Sequence, residues 1–280
     1  MPGPDITDGR LAGRPILPAI LSAPGFLAVV AVNALANALP LNGVGTGALS
    51  DELPNLFVPS GLTFAIWGII YLLLAGHVAT LLAETFGRRA GSGWQAMDGI
   101  LFILNAAANV GWIFAWHWRL VPLSLVLMLA ILASLVALEG RIARRLAPGG
   151  SLASEAGGGR SRRFFLSVPI RVYLGWIFVA TIANATALLV KLRWDGCGLD
   201  PRLWTVIVIC AGLALALVYA LGRGAIATPL VVVWAYAGIA IKRLSLDRDS
   251  TRVVCIAAMV AAFLLVAAMV GQAVKRRGRA

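Results

Sequence analysis

Residues 120–138, LVPLSLVLMLAILASLVAL, contain no charged side chain. As an α-helix, this segment would be about 28 Å long, close to the roughly 30 Å hydrocarbon thickness of a bilayer. The stretch is therefore predicted to cross a membrane. Comparable apolar runs recur along the chain and indicate eight spans, near 17–40, 60–82, 97–116, 120–139, 167–190, 203–222, 225–241 and 252–274. The predicted fold is an all-α, polytopic transmembrane helical bundle.

The composition supports a membrane protein and argues against several soluble classes. Of 280 residues, 60% are hydrophobic and 13% are charged, and the mean hydropathy is +0.88. The formal charge of +12 comes from basic residues between the apolar runs. There they set topology and meet anionic lipid head groups, so nucleic acid is not an expected partner. The cysteines, Cys197, Cys210 and Cys255, lack metal-ligand spacing, so neither a metal site nor a disulfide framework is predicted.

Basic residues and tryptophans predict how the chain sits in the membrane. The loops on the side of the two termini carry 15 Lys and Arg residues, and the opposite loops carry 8. The positive-inside rule then predicts a multi-pass protein of the cell (inner) membrane with both termini in the cytoplasm. Tryptophans at predicted span ends are expected at the membrane–water interface, namely Trp94, Trp116, Trp118, Trp194 and Trp204.

Aromatic and amide side chains inside the spans form stripes, because residues three, four, seven or eleven apart share a helix face. Trp67 and Tyr71 share a face of span two, and Asn33 and Asn37 share a face of span one. The stripes of spans three and five contain Asn105, Asn109 and Trp112, and Tyr173, Trp176, Ala180 and Asn184.

These stripes are predicted to converge in one half of the membrane. Spans alternate in direction, so residues early in span two and late in spans one, three and five lie toward the same face. Trp67 lies roughly 10 Å below that face, and Asn33 and Asn109 lie at comparable depth. Two interpretations stay open. Either the amides join helices by hydrogen bonds of about 1 kcal/mol or less, or the set lines a cavity for a flat, mostly apolar ligand.

Three motifs resemble the TspO/MBR family of tryptophan-rich sensory proteins, which includes the mitochondrial translocator (peripheral benzodiazepine receptor). PSGLTFAIWGIIY at 59–71 is similar to the family's second-helix motif. LNAAANVGW at 104–112 is similar to its third helix, and YLGWIFVATIAN at 173–184 is similar to its fifth. The resemblance covers residues 17–194, and Ala180 falls at the small-residue position that lines the family's ligand pocket.

The resemblance implies a five-helix membrane core that binds porphyrins or similar hydrophobic ligands, with a sensory, regulatory or trafficking role. Together with the spans, it divides the chain into an N-terminal tail (1–16), the core (17–194, with a flexible loop at 140–166), a three-helix extension (195–274) and a basic tail (275–280). The expected ligand-binding residues are Trp67, Tyr71, Asn109, Trp112, Tyr173, Trp176, Ala180 and Asn184, with Asn33 and Asn105 as additional candidates. No cofactor is required, although a porphyrin or haem is a candidate ligand, and a homodimer is left open.

The chain also departs from the family pattern. Gly61 and Thr63 occupy positions where the family usually has an additional Trp and a Phe, and Phe64 lies one place off. Loop 41–59 joins spans one and two on the side where the stripes converge. It is either a simple connector or, as a similar loop in the family implies, a lid over the cavity.

Ionisable residues within the spans are few, which argues against catalysis and ion-coupled pumping. Arg171 lies near the basic end of span five, where it can snorkel to the interface. The carboxylates near helix ends, where solvation costs little, are Glu84, Asp98 and Glu139. His77 lies well inside a span, and a hydrogen-bonded packing role is predicted for it. No catalytic or metal-binding residues are predicted, because the spans lack a carboxylate pair, a His/Cys cluster or a Ser-His-Asp set.

The leading functional hypothesis is therefore an integral membrane protein that binds a hydrophobic small molecule. One alternative is a passive facilitator or exporter of a small hydrophobic solute, with the last three helices completing its path. Another is a membrane enzyme that acts on bound porphyrin. Trp234 and Tyr236 in span seven either extend the cavity or pack against neighbouring helices.

Overall fold

The fold is that of a computed structural model, which describes residues 16–39, 41–86, 94–152, 159–223, 225–245 and 251–278. Within these ranges the chain is helical and contains no strand. The helices are α1 (Ile16–Ala38), α2 (Thr46–Asp51), α3 (Ile66–Phe86), α4 (Ala96–His117), α5 (Val121–Leu146), α6 (Arg160–Lys191), α7 (Pro201–Leu217), α8 (Ala227–Ser245) and α9 (Arg252–Arg277). Short 3₁₀ turns at Leu41–Gly43, Gly61–Ala65 and Gly196–Gly198 and a π turn at Val218–Gly222 complete the described elements.

All of these helices except the short α2 are long and apolar enough to cross a membrane, which makes eight spans in the described residues. The all-α, polytopic bundle predicted from the apolar runs is confirmed. Span seven corresponds to α8, which has 19 residues. A helix of that length reaches about 28 Å, so it is long enough to cross the hydrocarbon core.

The helices that flank the predicted flexible loop at 140–166 are longer than the apolar runs indicate. α5 continues to Leu146 and α6 begins at Arg160, so only the middle of that segment lies outside the two helices. The arginines of these extra turns carry the charge that ended the apolar runs. Several of them pair with carboxylates on neighbouring helices.

Parts of the predicted segments lie outside the described residues. These are residues 1–15 of the N-terminal tail, 153–158 of the predicted loop and 279–280 of the basic tail.

Five of the spanning helices form a closed ring. α3 contacts α1 and α6, α1 contacts α4, α4 contacts α5, and α5 contacts α6. Small residues allow the close approach of neighbouring helices. A Cβ added at Gly99 on α4 would overlap Pro18 on α1, and one at Gly25 would touch Ala106 at 3.5 Å. The interior of this ring is where the stripes of aromatic and amide residues meet.

The last three spans attach to the ring mainly through α6. α8 packs against α6 and against the 3₁₀ turn that precedes α3, while α7 and α9 pack against α8 and each other. Trp234 Nε1 donates to the carbonyl of Thr63 at 3.0 Å, and the Tyr236 hydroxyl donates to the carbonyl of Ile209 at 2.7 Å. Both side chains left open by the sequence therefore join helices and line none of the described cavities.

Buried ion pairs occupy the membrane half that contains the ends of α3, α5 and α7. Glu139, 2% exposed, pairs with Arg171 at 3.0 Å and with Arg223. Asp98 is fully buried and pairs with Arg141 at 2.7 Å. The expectation of solvated carboxylates and a snorkelling Arg171 is wrong, because arginines from adjacent segments neutralise these carboxylates inside the protein.

The third such pair joins α3 to α6. Glu84 lies 2.6 Å from Arg162, which belongs to the first turn of α6. Each of these pairs links two different segments at the same end of the bundle.

Candidate functional site

Trp67 is the centre of an aromatic cluster between α3 and α6. Its ring stacks on Tyr71 with 5.5 Å between centroids, because the two residues lie one helical turn apart. The edges of Tyr173 and Trp176 on α6 approach it at 5.9 and 6.2 Å. Phe64 then meets Trp176 edge to face at 5.6 Å. Such geometries are the favoured arrangements of aromatic rings.

A chain of amides connects three helices beside this cluster. Asn33 Nδ2 on α1 donates to Asn109 Oδ1 on α4 at 2.9 Å. Asn109 Nδ2 in turn donates to the hydroxyl of Tyr173 on α6 at 2.8 Å. The chain fixes the orientation of Tyr173, whose ring forms part of the aromatic cluster. Each interhelical bond of this kind contributes about 1 kcal/mol or less.

A small cavity, here called the aromatic cavity, lies between the aromatic cluster and α4. Its volume is about 40 Å³, which leaves room for only a few water molecules. None of its lining side chains is charged. They are Thr46, Ser50, Pro59, Phe64, Trp67, Trp112, Trp116, Trp176, Val179, Ala180, Ala183 and Asn184.

Three polar groups of this region have no hydrogen-bond partner. They are the indole nitrogens of Trp112 and Trp176, which line the cavity, and the hydroxyl of Tyr71 beneath Trp67. A buried donor without an acceptor costs about 1–3 kcal/mol, so such groups are rare in native proteins. By contrast, Asn184 Oδ1 accepts a bond from Ser124 Oγ at 3.2 Å. The three open groups of this region therefore lie at or directly behind the aromatic wall.

The segment between α1 and α3 covers the cavity. Its short helix α2 contributes Thr46 and Ser50 to the lining. Trp116 Nε1 donates to the carbonyl of Thr46 at 3.2 Å, and the Thr46 hydroxyl bonds His117 Nε2 at 3.1 Å. His117 Nδ1 lies 2.9 Å from the carbonyl of Leu41 and must be the donor, since a carbonyl oxygen only accepts. The segment therefore lies where the lid interpretation requires it.

Exposed ion pairs hold the outer surface of the same segment. Arg119, in the turn between α4 and α5, donates to both carboxylate oxygens of Glu52 at 2.7 and 2.8 Å. The side-chain hydrogen bonds from Arg119 hold the pKa of Glu52 below its usual 4.5. Asp51 pairs with Lys242 at the end of α8 at 2.6 Å. Exposed pairs such as these contribute little to stability.

The structure brings most of the predicted site residues together. Trp67, Trp112, Trp176, Ala180 and Asn184 line the cavity. Tyr71, Asn109 and Tyr173 lie behind that wall and contact it through the ring stacking and hydrogen bonds described above. Asn33 joins the group through Asn109.

Asn105 lies apart from the cavity. Its Nδ2 donates to the carbonyl of Ile131 at 3.1 Å and to Ser134 Oγ at 3.0 Å, both on α5. The stripe of α4 therefore divides. Asn109 and Trp112 face the ring interior, whereas Asn105 joins α4 to α5 through its hydrogen bonds.

Sequence reasoning missed several lining residues. Trp116 was expected at the interface, but it is 6% exposed beneath α2 and stacks on Trp112 at 6.0 Å. Its position one turn after Trp112 is the signal that could have placed it. Trp94 is also buried, packed against His77 and Phe102. Thr46 and Ser50 gave no periodic signal, because in sequence they lie between the predicted spans, in loop 41–59.

His77 has the geometry of a packing residue. It is fully buried, and its Nδ1 donates to the carbonyl of Phe165 at 2.7 Å. Its ring lies 5.3 Å from Trp94 and 5.9 Å from Phe102, far along α3 from Trp67. Across the described ranges, no three His, Cys, Asp or Glu side chains are grouped so that they could hold a metal ion.

These features define a polytopic membrane protein with an uncharged, aromatic-walled cavity under a helical loop. A model of the TSPO-like protein family matches residues 19–271, so the chain belongs to this family. The match confirms the suspected family and extends beyond residue 194 through the last three helices. Neither the curated proteins nor the solved structures give a match to this chain.

Proposed function

We propose that this protein binds a flat, mostly apolar ligand, with porphyrins such as protoporphyrin or haem as the candidates, for sensing, regulation or trafficking. The observation that carries the proposal is the pair of cavity-wall indoles, Trp112 and Trp176, whose N–H groups have no acceptor. A ligand with acceptors at its edge would satisfy them, and its flat body would lie against Trp67 and Trp176. Ala180 leaves space for that body because its side chain is a single methyl group.

Binding requires the aromatic cavity to widen. Its volume of about 40 Å³ is far below the roughly 300–1,000 Å³ of sites that enclose drug-sized ligands. The covering α2 is the element best suited to move, because it is held by a few hydrogen bonds and exposed ion pairs. The proposal thus includes a closed state, in which α2 covers the rings, and a ligand-bound state in which it is displaced.

Titration with protoporphyrin tests the site. In lipid nanodiscs, the wild-type protein should show saturable tryptophan quenching and a shifted porphyrin absorption band. The double variant W176F/N109L should weaken binding by about tenfold, since it removes one open donor and the support of Tyr173.

A matched control carries the same two changes away from the cavity. W234F/N105L also removes one indole and one amide, from a residue of α8 and from the α5-facing side of α4. It should bind protoporphyrin like the wild type. Equal affinity of W176F/N109L and wild type would refute the site.

We further propose that the protein lies in the cell (inner) membrane with both termini in the cytoplasm, as the basic residues indicate. Cys197 provides the test, because it is exposed in the turn between α6 and α7, on the face opposite the termini. A membrane-impermeant maleimide added to intact cells should label the wild type but not C197S. Labelling only after cell lysis would indicate the opposite orientation, with both termini outside the cytoplasm.

A further inference from the structure

A second and larger cavity, here called the lateral cavity, lies outside the five-helix ring. Its volume is about 600 Å³, within the range of sites that take drug-sized ligands. It is lined by the loop after α2, the end of α6, the start of α7 and the end of α8. Two of the last three spans, α7 and α8, therefore contribute to its wall. It adjoins the aromatic cavity, with Ser50 lining both.

Most of the lateral cavity wall is apolar and aromatic. Trp194, after α6, meets Trp204 of α7 edge to face at 4.8 Å. Phe57 of the loop and Val208 of α7 also line the cavity. Such walls favour a long or bulky apolar body over a small polar solute.

Arg243 introduces a buried cation into this wall. The residue is 6% exposed, and its Nη2 donates to the carbonyl of Val58 at a long 3.4 Å. Its Nε has no partner, and in the described part of the chain no carboxylate forms an ion pair with it. The nearby Asp51 is already bonded to Lys242 and is itself largely exposed. Asp195 also lines the cavity, but it is exposed, so the two lining carboxylates leave the buried guanidinium of Arg243 without an ion-pair partner, which is costly.

A second open donor lies in the same wall. Trp204 Nε1 is buried without an acceptor. Arg243 lies in the last turn of α8. A positively charged side chain is favoured there, because the C-terminal end of a helix dipole is negative. The helix end does not explain why both Arg243 Nε and Trp204 Nε1 lack acceptors beside a cavity of this volume.

We propose that the lateral cavity is a second ligand site, which binds an amphipathic anion. The carboxylate or phosphate of the ligand accepts hydrogen bonds from Arg243 and Trp204, and its apolar body lies against Trp194, Phe57 and Val208. A membrane phospholipid and a free long-chain carboxylate both have this chemistry. The proposed ligand contacts differ from those of the aromatic cavity, although α6 and Ser50 of α2 contribute to the walls of both.

Dansylaminoundecanoate, a fluorescent long-chain carboxylate, is the probe for this site. With the protein in phosphatidylcholine nanodiscs, bound probe should receive excitation energy from Trp194 and Trp204. R243Q should weaken binding by about tenfold or more, since it removes a charged hydrogen-bond donor. R202Q is the matched control, because Arg202 lies on the same face but is exposed and paired with Asp200.

Two results would overturn the proposal. One is equal probe affinity for R243Q and wild type, and the other is equal affinity for the probe and its uncharged methyl ester. Should R243Q fail to fold, W204F and V208W decide the question. W204F removes only one donor and should weaken binding severalfold, while V208W places a bulky ring against the ligand body and should weaken binding by about tenfold. Unchanged binding in both would reject the site.

Competition identifies the source of the anion. Phosphatidylglycerol in the nanodiscs should displace the probe if a lipid phosphate is the occupant, and free oleate should do so if a carboxylate is. Displacement by neither would refute the assignment. The same variants separate this proposal from the first, because W176F/N109L should leave probe affinity unchanged and V208W should leave the protoporphyrin affinity of the aromatic cavity unchanged.

Discussion

The two membrane halves of the bundle differ in whether their buried polar groups have partners. In the ion-paired half, defined by Glu84, Asp98 and Glu139, each carboxylate meets an arginine from another segment. In the aromatic half, defined by the lining of the aromatic cavity, the polar groups are neutral, and the indoles of Trp112 and Trp176 have no acceptor. Paired charges join helices, whereas open donors are available to a ligand.

This difference separates the residues that stabilise the fold from those that are free to bind. The carboxylates of the ion-paired half already have arginine partners within the protein, so they gain little from a ligand. A neutral donor at a cavity wall costs less to leave open than a charge would. The aromatic half can therefore keep unpaired groups in the unliganded protein, and variants in the two halves should affect different measurements.

The largest expected effect is on stability in the ion-paired half. Glu139→Gln removes the carboxylate shared by Arg171 and Arg223 and leaves two arginines without their partner. Because breaking a buried pair leaves an uncompensated charge, unfolding by SDS in mixed micelles should show a loss of about 3 kcal/mol. Protoporphyrin affinity of the folded fraction should not change.

Glu52→Gln is the control for that measurement, since it alters an ion pair in which both side chains are about 40% exposed. Its unfolding curve should overlay that of the wild type. A similar stability for E139Q would show that the Glu139 pairs contribute no more than surface pairs do.

The next effect is on ligand affinity in the aromatic half. Ala180→Phe places a ring in the aromatic cavity and should weaken protoporphyrin binding by about tenfold or more, because one buried ring occupies the space of the ligand. Ala185→Phe, on the same helix but lining neither cavity, is the matched control. Equal affinities of the two variants would place the ligand outside this cavity.

A smaller effect on stability is expected from removing either of two tyrosine hydroxyls in the aromatic cluster. Tyr173→Phe removes an acceptor that Asn109 uses at 2.8 Å, so it should destabilise the protein by about 1 kcal/mol. Tyr71→Phe removes a buried hydroxyl that has no partner, so stability should remain the same or rise. Unfolding of both variants in SDS measures the difference. A loss of stability in Y71F equal to that in Y173F would mean that the Tyr71 hydroxyl is satisfied.

Periodicity predicted the spans and the stripes, because both depend on the position of residues along one helix. Trp67, Trp112 and Trp176 line the cavity from the faces that their spacing indicated. Contacts between distant segments gave no such signal. The pairing of Glu139 with Arg223 joins residues 84 positions apart, and its burial depends on how α5 meets the turn after α7.

Loop geometry was the other source of missing information. Trp116 has the sequence position of an interfacial tryptophan, and only the covering α2 makes it a buried wall of the cavity. The lateral cavity was unpredictable for the same reason. Its cation, Arg243, is a basic residue at a helix end in sequence, and becomes a candidate ligand contact through the packing of the loop at Val58.

The smallest effect concerns the covering segment, and it tests whether the aromatic half opens. Glu52→Gln weakens the pair with Arg119 that holds α2 against the α4–α5 turn, so protoporphyrin should associate severalfold faster in stopped flow, with little change in stability.

Acid should act on the wild type in the same way as this substitution. Because Arg119 lowers the pKa of Glu52 from 4.5, the pair is intact above pH 4.5 and is lost as the pH falls through the lowered pKa. As the pH falls, the amide-exchange rate of Thr46–Asp51 in the wild type should therefore rise toward that of E52Q measured at the same pH. D200N, which removes an exposed pair that lines neither cavity, should behave as the wild type. If E52Q and wild type bind at one rate, α2 is a fixed connector and the ligand enters between the helices.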